Sequence, residues 1–280
     1  MSFIEDIILR DDKRGISSLR QALPKDYCTE AASYLLANPG RILIVTGFYI
    51  LKAHAPETDG PPGAIVLGTA LQNLGNEVFY ATDHYTQPLL TAVGIPRSNV
   101  ITFPILDSQA SKRYSKSLLA KLKPDLLVSI ERCGPTEQGQ YLNMRGLDIS
   151  KWTAQIDHLF YEHPNTLGIG DGGNEIGMGN LFNEVQTVPT LVPEPCIVTT
   201  SKLVIASVSN WGAYGLVTAL SELKNRDLLP NIDGHGQMIR TMVVHGAVDG
   251  FHGTRDDRVD GFTLEENLSI LRELKNKLET

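Results

Sequence analysis

Asp125-Leu-Leu-Val-Ser-Ile130 runs directly into Glu131-Arg-Cys-Gly-Pro135, and the change of character at Glu131 decides how the chain is read. The first segment is too short for a helix, and its aliphatic content suits a strand covered on both faces. The second opens with charge and continues into Gly and Pro, as a loop does. The same grammar recurs along the chain and predicts strands at residues 41–46, 77–81, 99–103, 166–170, 202–207 and 240–245. Between them, amphipathic stretches predict helices over 25–38, 63–74, 87–93, 111–121, 211–224 and 264–278. Thr263 and Glu266 have capping-box spacing before the last of these. Strand alternating with helix implies an α/β fold, a mostly parallel sheet flanked by helices. Residues 1–38 read as an N-terminal helical segment and 39–280 as the α/β domain. The stretches 134–165 and 189–195 read as irregular insertions beside the sheet.

The 280 residues carry 25 Lys and Arg against 32 Asp and Glu, a net charge of −7, which argues against a sequence-independent nucleic-acid binder. With 42 % hydrophobic and 20 % charged residues the chain can build a sizeable core. Cys28, Cys133 and Cys196 are odd in number and form no CxxC pair. They predict reduced thiols rather than a disulfide framework or a zinc site. No apolar run approaches the ~18 residues of a membrane span, and residues 1–14 lack a secretory apolar core. The expectation is a cytoplasmic protein with no membrane partner.

In open α/β sheets, ligands bind beyond the carboxyl ends of the strands. The residues that follow each predicted strand are therefore the ones to inspect. Gly47 and the loop carrying Glu57 and Asp59 follow the first; Asp83 follows the second; Glu131 and Arg132 follow 125–130. Asp171, Gly172, Gly173, Asn174 and Glu175 follow 166–170; Asn210 follows 202–207; His245 and then Asp249 follow 240–245. If the strands are parallel, these loops share one rim, and Glu57, Asp59, Asp83, Glu131, Asp171, Glu175 and Asp249 converge. Two like charges about 4 Å apart repel by roughly 4 kcal/mol at an effective dielectric near 20. Such a cluster needs protons or cations to neutralise it. Hard oxygen donors without thiolates or paired histidines favour Mg²⁺ or Mn²⁺, or else Ca²⁺, over zinc. Each acid also has an ordinary alternative: turn chemistry for Glu57, Asp59, Asp83 and Asp249, helix capping for Asp171 and Glu175, and an internal ion pair for Glu131.

Gly168-Ile-Gly-Asp-Gly-Gly173 matches GxGxxG, but Asp171 would face a pyrophosphate and the ribose-binding acid would fall in a proline-rich loop. A dinucleotide site is set aside. No P-loop, nucleophile elbow or paired-histidine motif is present.

Glu57-Thr-Asp-Gly-Pro-Pro-Gly-Ala64, Glu131-Arg-Cys-Gly-Pro135 and Gly170-Asp-Gly-Gly-Asn-Glu-Ile-Gly-Met-Gly179 together resemble the D-glutamate cyclase family, in its C-terminal domain and its free-standing bacterial and archaeal relatives. The similarity runs from about Gly40 to the end. The resemblance implies an α/β domain with acidic metal ligands and a reaction converting D-glutamate to 5-oxo-D-proline and water. On this reading Glu57, Asp59, Glu131, Asp171 and Glu175 are metal ligands or proton carriers. Arg132 clamps a substrate carboxylate, and backbone N–H groups at Gly47, Gly172 and Gly173 hold an anion. Asn174, Asn210 and Asp249 contact substrate, and the base is His245 or Asp83. The expected partner is a small acidic metabolite, with homo-oligomer formation left open. Two alternatives remain: metal-assisted hydrolysis of a phosphorylated small molecule or nucleotide, and a metal or metabolite sensor without turnover.

Overall fold

The computed structural model describes residues 3–279; Met1, Ser2 and Thr280, which end the two predicted segments, lie outside them. Six strands form the central sheet: β1 (Arg41–Thr46), β2 (Glu77–Thr82), β3 (Val100–Thr102), β4 (Leu126–Ile130), β5 (Thr166–Gly170) and β6 (Lys202–Ile205). Their spatial order is β3-β2-β1-β4-β5-β6, with every neighbouring pair parallel. The chain winds outward one way from β1, then returns to start the other half at β4. That reversal leaves a crevice beyond the carboxyl ends of β1 and β4, where doubly wound sheets bind their ligands.

The strand period of two divides the core. Ile42, Ile44, Val128 and Ile130 join one apolar cluster, while Leu43, Val45 and Leu127 join another. The first cluster packs beneath α3 (Pro61–Asn73) and α6 (Ser209–Lys224). The second lies under α5 (Ser108–Leu122), through Tyr114, Leu118 and Leu122. Burying one such aliphatic side chain is worth roughly 1.5–3 kcal/mol. A one-residue register slip would exchange the two clusters' strand residues, so the register is strongly specified.

The N-terminal segment is part of this core. Helices α1 (Ile4–Ile8) and α2 (Tyr27–Ala37) both pack on α6, burying Ile4, Ile7, Ile8, Tyr27 and Ala31. The Tyr27 hydroxyl donates to the Ile205 carbonyl at 2.6 Å and ties α2 to the edge strand β6. Helix α4 (Gln87–Ala92) falls where the sequence places it. The final helix α8 (Leu264–Leu278) carries the expected capping box, with the Thr263 hydroxyl and the Glu266 carboxylate each accepting the other's backbone N–H. The stretches 134–165 and 189–195 run beside the sheet as loops with isolated helical turns. No helix among the described residues is long and apolar enough to cross a membrane.

One element differs in kind. The predicted strand 240–245 is the second half of a helix, α7 (Ile232–Val244). The Met-Val-Val run at 242–244 has no strand partner, and its apolar residues obey the helical period. His235, Ile239 and Met242 are buried at spacings of four and three, while Val244 is 79 % exposed. The Asn231 side chain caps the helix by accepting the Gly234 N–H at 3.1 Å. In a strand, positions 242 and 244 would share a face; here they do not. Urea unfolding should therefore show Met242→Ala losing about 2–4 kcal/mol. Val244→Lys should stay within about 0.5 kcal/mol of the parent.

Candidate functional site

Parallel strands bring the predicted loops to one rim, and burial turns that rim into an acidic floor. Glu57, Asp59, Glu131, Asp171 and Glu175 are all buried there, joined by Asp260, which the sequence reading missed. Asp171 is the hub. With Asp59 and Asp260 it forms one group of carboxylate oxygens all within 4.8 Å of one another; with Glu131 and Glu175 it forms a second.

Local backbone explains how acids as far apart in sequence as Glu57 and Asp260 meet. Glu131 leaves β4 in the left-handed region, at φ 46°, and Asp260 sits at φ 56°. That conformation costs a non-glycine residue energy and bends the chain sharply. Gly60, at φ 91°, lies so close to Glu131 that a Cβ would stand 2.7 Å from the Glu131 Cβ. Only glycine allows the loop after β1 to press against the end of β4.

The first turn of α6 faces the acids. The Ser209 N–H donates to Asp59 at 2.9 Å and to Asp171 at 3.1 Å, and its hydroxyl donates to Glu131 at 2.7 Å. The Asn210 N–H donates to Asp59 at 2.8 Å. The positive end of a sixteen-residue helix dipole thus points at the carboxylates. A further cation comes from the N-terminal segment: Arg14 Nη1 lies 2.8 Å from Asp171 and 2.5 Å from Asp260.

These contacts do not fully compensate the charge. Burial, before any other cause, raises the Glu57, Glu131 and Asp171 carboxyls well above the usual range. Neighbouring carboxylates push in the same direction for each, and Arg14 opposes them at Glu57 and Asp171. Asp59 is raised to about 7, by burial first and the Asp260 charge second, with the Asn210 and Ser209 N–H bonds pulling it back.

Above the floor opens a cavity of about 460 Å³. Glu57, Glu131, Asp171 and Asp260 line its base, Phe48, Met144 and Phe251 its walls, and Lys13, Lys52 and Arg145 its exposed mouth. Two buried oxygens at the cavity have no hydrogen-bond partner, Glu57 Oε1 and Asn174 Oδ1. Buried acceptors left unpaired ask for a ligand or an ion. The donor set is entirely oxygen, and two oxygens on opposite sides of a hard cation are about 4–5 Å apart. The groups around Asp171 fit that spacing.

Other predicted site residues lie apart from the cavity. Asp83 and Arg132 are each other's partners, 2.7 Å apart and buried. Arg132 also donates to the carbonyls of Gly47 and Ala154, so it ties β1 and β4 to the 134–165 insertion instead of offering a free fork to a substrate. The N–H groups of Gly172 and Gly173 do hold an anion, but it is the chain's own Glu175, at 2.8 Å each. No helix starts at Gly173; Glu175 folds back to close its loop. The Asn210 amide accepts from Gly60 and Gly63 and donates to Thr58, locking α3 to α6. Asp249 accepts from the N–H groups of His252 and Gly261 and braces the loop that presents Asp260. His245 is exposed at the end of α7, because the strand predicted to carry it to the rim is a helix.

A family model described as D-glutamate cyclase-like, C-terminal, matches residues 4–275. The chain belongs to that family. The match reaches back to residue 4, so it includes Arg14 and the helices before Gly40. Human mitochondrial D-glutamate cyclase is 36 % identical over 229 residues, which cover 74 % of this chain and 36 % of the human protein. The chain thus spans about a third of that relative's length.

Two outcomes follow from this geometry. Asp83→Ala would leave Arg132 buried and unpaired, and urea unfolding should show a loss of about 3–5 kcal/mol. For the floor acids, the folded pKa lies above the unfolded one. Their contribution is complete below about pH 4 and is lost as pH rises toward 7, where Asp59 titrates. His235, lowered to about 4 by burial, works the other way between pH 4 and 6.5, as one group against four. Carboxylates held low by partners, such as Glu266 and Glu273, act only below that window. Without added divalent cation, the melting temperature should fall between pH 5 and 7.5. Asp59→Asn should make that fall visibly smaller.

Proposed function

We propose that this domain is a divalent-cation-dependent enzyme acting on a small acidic metabolite, with ring closure of D-glutamate to 5-oxo-D-proline and water as its reaction. One observation carries the reading. Glu57, Glu131, Asp171 and Asp260 meet at the base of a cavity at the sheet's crossover crevice, with Glu57 Oε1 unpartnered. Asp171 and Asp260, supported by Asp59 and Glu131, are the residues that would hold a Mg²⁺ or Mn²⁺ ion. Such an ion supplies a Lewis acid toward a substrate carboxylate and offsets the acidic charge.

The remaining chemistry falls to the chain's own side chains. In the cyclisation the α-nitrogen bonds to the γ-carboxyl carbon and a C–O bond breaks. The two protons that the ammonium loses are the two that the departing oxygen gains as water. A carboxylate must take a proton from nitrogen, and a carboxyl must deliver one to oxygen. Glu57 and Glu131 line the cavity with their carboxyls raised, so they retain protons where an ordinary glutamate would not. Asp59, placed behind Asp171 and titrating near 7, is suited to exchange protons with the floor at neutral pH. The basic mouth, Lys13, Lys52 and Arg145, draws an anionic substrate inward.

Cavity size favours keeping a second reading. Ten heavy atoms of glutamate, at no more than the ~30 Å³ share of a water molecule each, occupy under about 300 Å³. A phosphorylated small molecule would use more of the 460 Å³ and would also suit the basic mouth.

The test is formation of 5-oxo-D-proline from D-glutamate by the purified chain with Mn²⁺. Glu131→Gln should lower the rate by about 10²-fold or more. Phosphate release from a panel of phosphate esters, without cyclisation, would replace this reading with the second. A Mn²⁺-dependent rise in melting temperature with turnover on neither substrate would indicate a sensor.

A further inference from the structure

Arg14 brings its guanidinium to the acidic floor from the N-terminal segment, next to Lys13 at the cavity mouth. Its Nη1 lies on Asp171 and Asp260, and its Nη2 donates to the second oxygen of Asp260 at 2.5 Å. It therefore stands within ion-pair distance of three of the four oxygens of these two acids, with Nη1 in no hydrogen bond of its own, and the Ser209 N–H donates to the last. The side chain is 18 % exposed, so it spans the distance from solvent to the floor.

The segment that carries Arg14 is built as a unit. The Asp12 carboxylate accepts the N–H groups of Arg14, Gly15 and Ser17 at 2.8–2.9 Å. Thr190 donates its hydroxyl to the Arg14 carbonyl. Outside these latches the segment is open, with Asp11 and Lys13 exposed. Lys13 rests its ammonium 3.4 Å from the Phe262 ring centre, beside Arg14 at the cavity. Between the buried Leu9 and Ile16 the segment is held by these polar contacts and by Gly15 packed against Thr190 and Val188.

A guanidinium and a divalent cation on the same two carboxylates would repel each other at close range. Glu57 Oε1 and Asn174 Oδ1, buried at the same cavity without partners, show that the floor has acceptor capacity beyond what Arg14 uses. We propose that Arg14 is a displaceable counter-ion: it competes with a divalent cation for Asp171 and Asp260, so cation entry is coupled to withdrawal of residues 11–15. The inference rests on the cation-binding reading above and adds to it a coupling between the cavity and the N-terminal segment. A cation and Arg14 exclude one another, so each lowers the other's affinity by the same factor.

Calorimetric titration of Mn²⁺ into the full chain tests this. Arg14→Gln should bind Mn²⁺ roughly tenfold more tightly than the parent, within the usual range of coupling between sites. Arg14→Lys keeps the charge without the fork and should fall between them. Saturating Mn²⁺ should also speed amide hydrogen exchange at Ser17, whose N–H bonds Asp12 across the boundary of the withdrawing segment, in the unsubstituted chain, a measurement that needs no variant to fold. Equal or weaker Mn²⁺ binding by Arg14→Gln, or unchanged exchange while the parent binds Mn²⁺, overturns the competition and leaves the cation site standing. Absence of Mn²⁺ binding to parent and variants alike removes the cation site, and the competition with it.

Discussion

Carboxyl groups crowded into a buried crevice repel one another and lose their hydration, and much of this molecule's polar architecture answers that one difficulty. Six acids meet near Asp171, and the cation salt-bridged among them is Arg14. The first turn of α6 contributes N–H groups and a hydroxyl, each hydrogen bond to a charged group worth about 1.5–3 kcal/mol net. These do not suffice, and the remainder appears as carboxyls raised toward neutrality. Protons, a guanidinium or a divalent cation can each supply the missing positive charge. The floor is poised among the three, which is why its stability, metal affinity and proton chemistry are one problem.

A second set of polar residues holds the first in place and touches nothing in the cavity. The Arg132–Asp83 pair joins the ends of β4 and β2 beneath the crevice. Asn210 fastens the turn of α3 to α6, and Asp249 braces the loop of Asp260. Each is buried, satisfied or nearly so, and Asp83, Arg132 and Asn210 follow a strand or lead a helix, just as a ligand-binding residue would. Position at the rim therefore does not separate the two sets. What separates them is that Glu57, Glu131, Asp171 and Asp260 line the cavity, whereas Asp83, Arg132, Asn210 and Asp249 do not.

That distinction marks how far the amino-acid sequence could be read. The six sheet strands were legible because a strand buried on both faces must be a short aliphatic run, and Leu126–Ile130 is one. The run at 242–244 misled because three apolar residues carry no period; only their burial at 235, 239 and 242 shows the helix. Glu57, Asp59, Glu131 and Asp171 were legible as a convergent set, since parallel strands leave their following loops at one rim. Asp260 was hidden inside Asp260-Gly261, which reads as an ordinary turn, and its left-handed backbone is visible only in three dimensions. Arg14 carried no signal at all: it lies far from any strand end, in a segment whose helices gave no hint of reaching the crevice.

The same electrostatics governs how the acids must be taken apart. Asp171 belongs to both oxygen groups, and Glu57, Glu131 and Asp171 each feel the charge of other floor acids, so neutralising any one of them acts on several at once. Coupled acids share their protons, so removing one charge changes which of the others keeps a proton. Single substitutions will not sum, and a role assigned to one acid from its loss alone will include the response of its neighbours. Pairs of substitutions measured against each single one, beginning with Asp171 and Asp59, separate a ligand or proton carrier from a residue whose charge merely sets the potential of the floor.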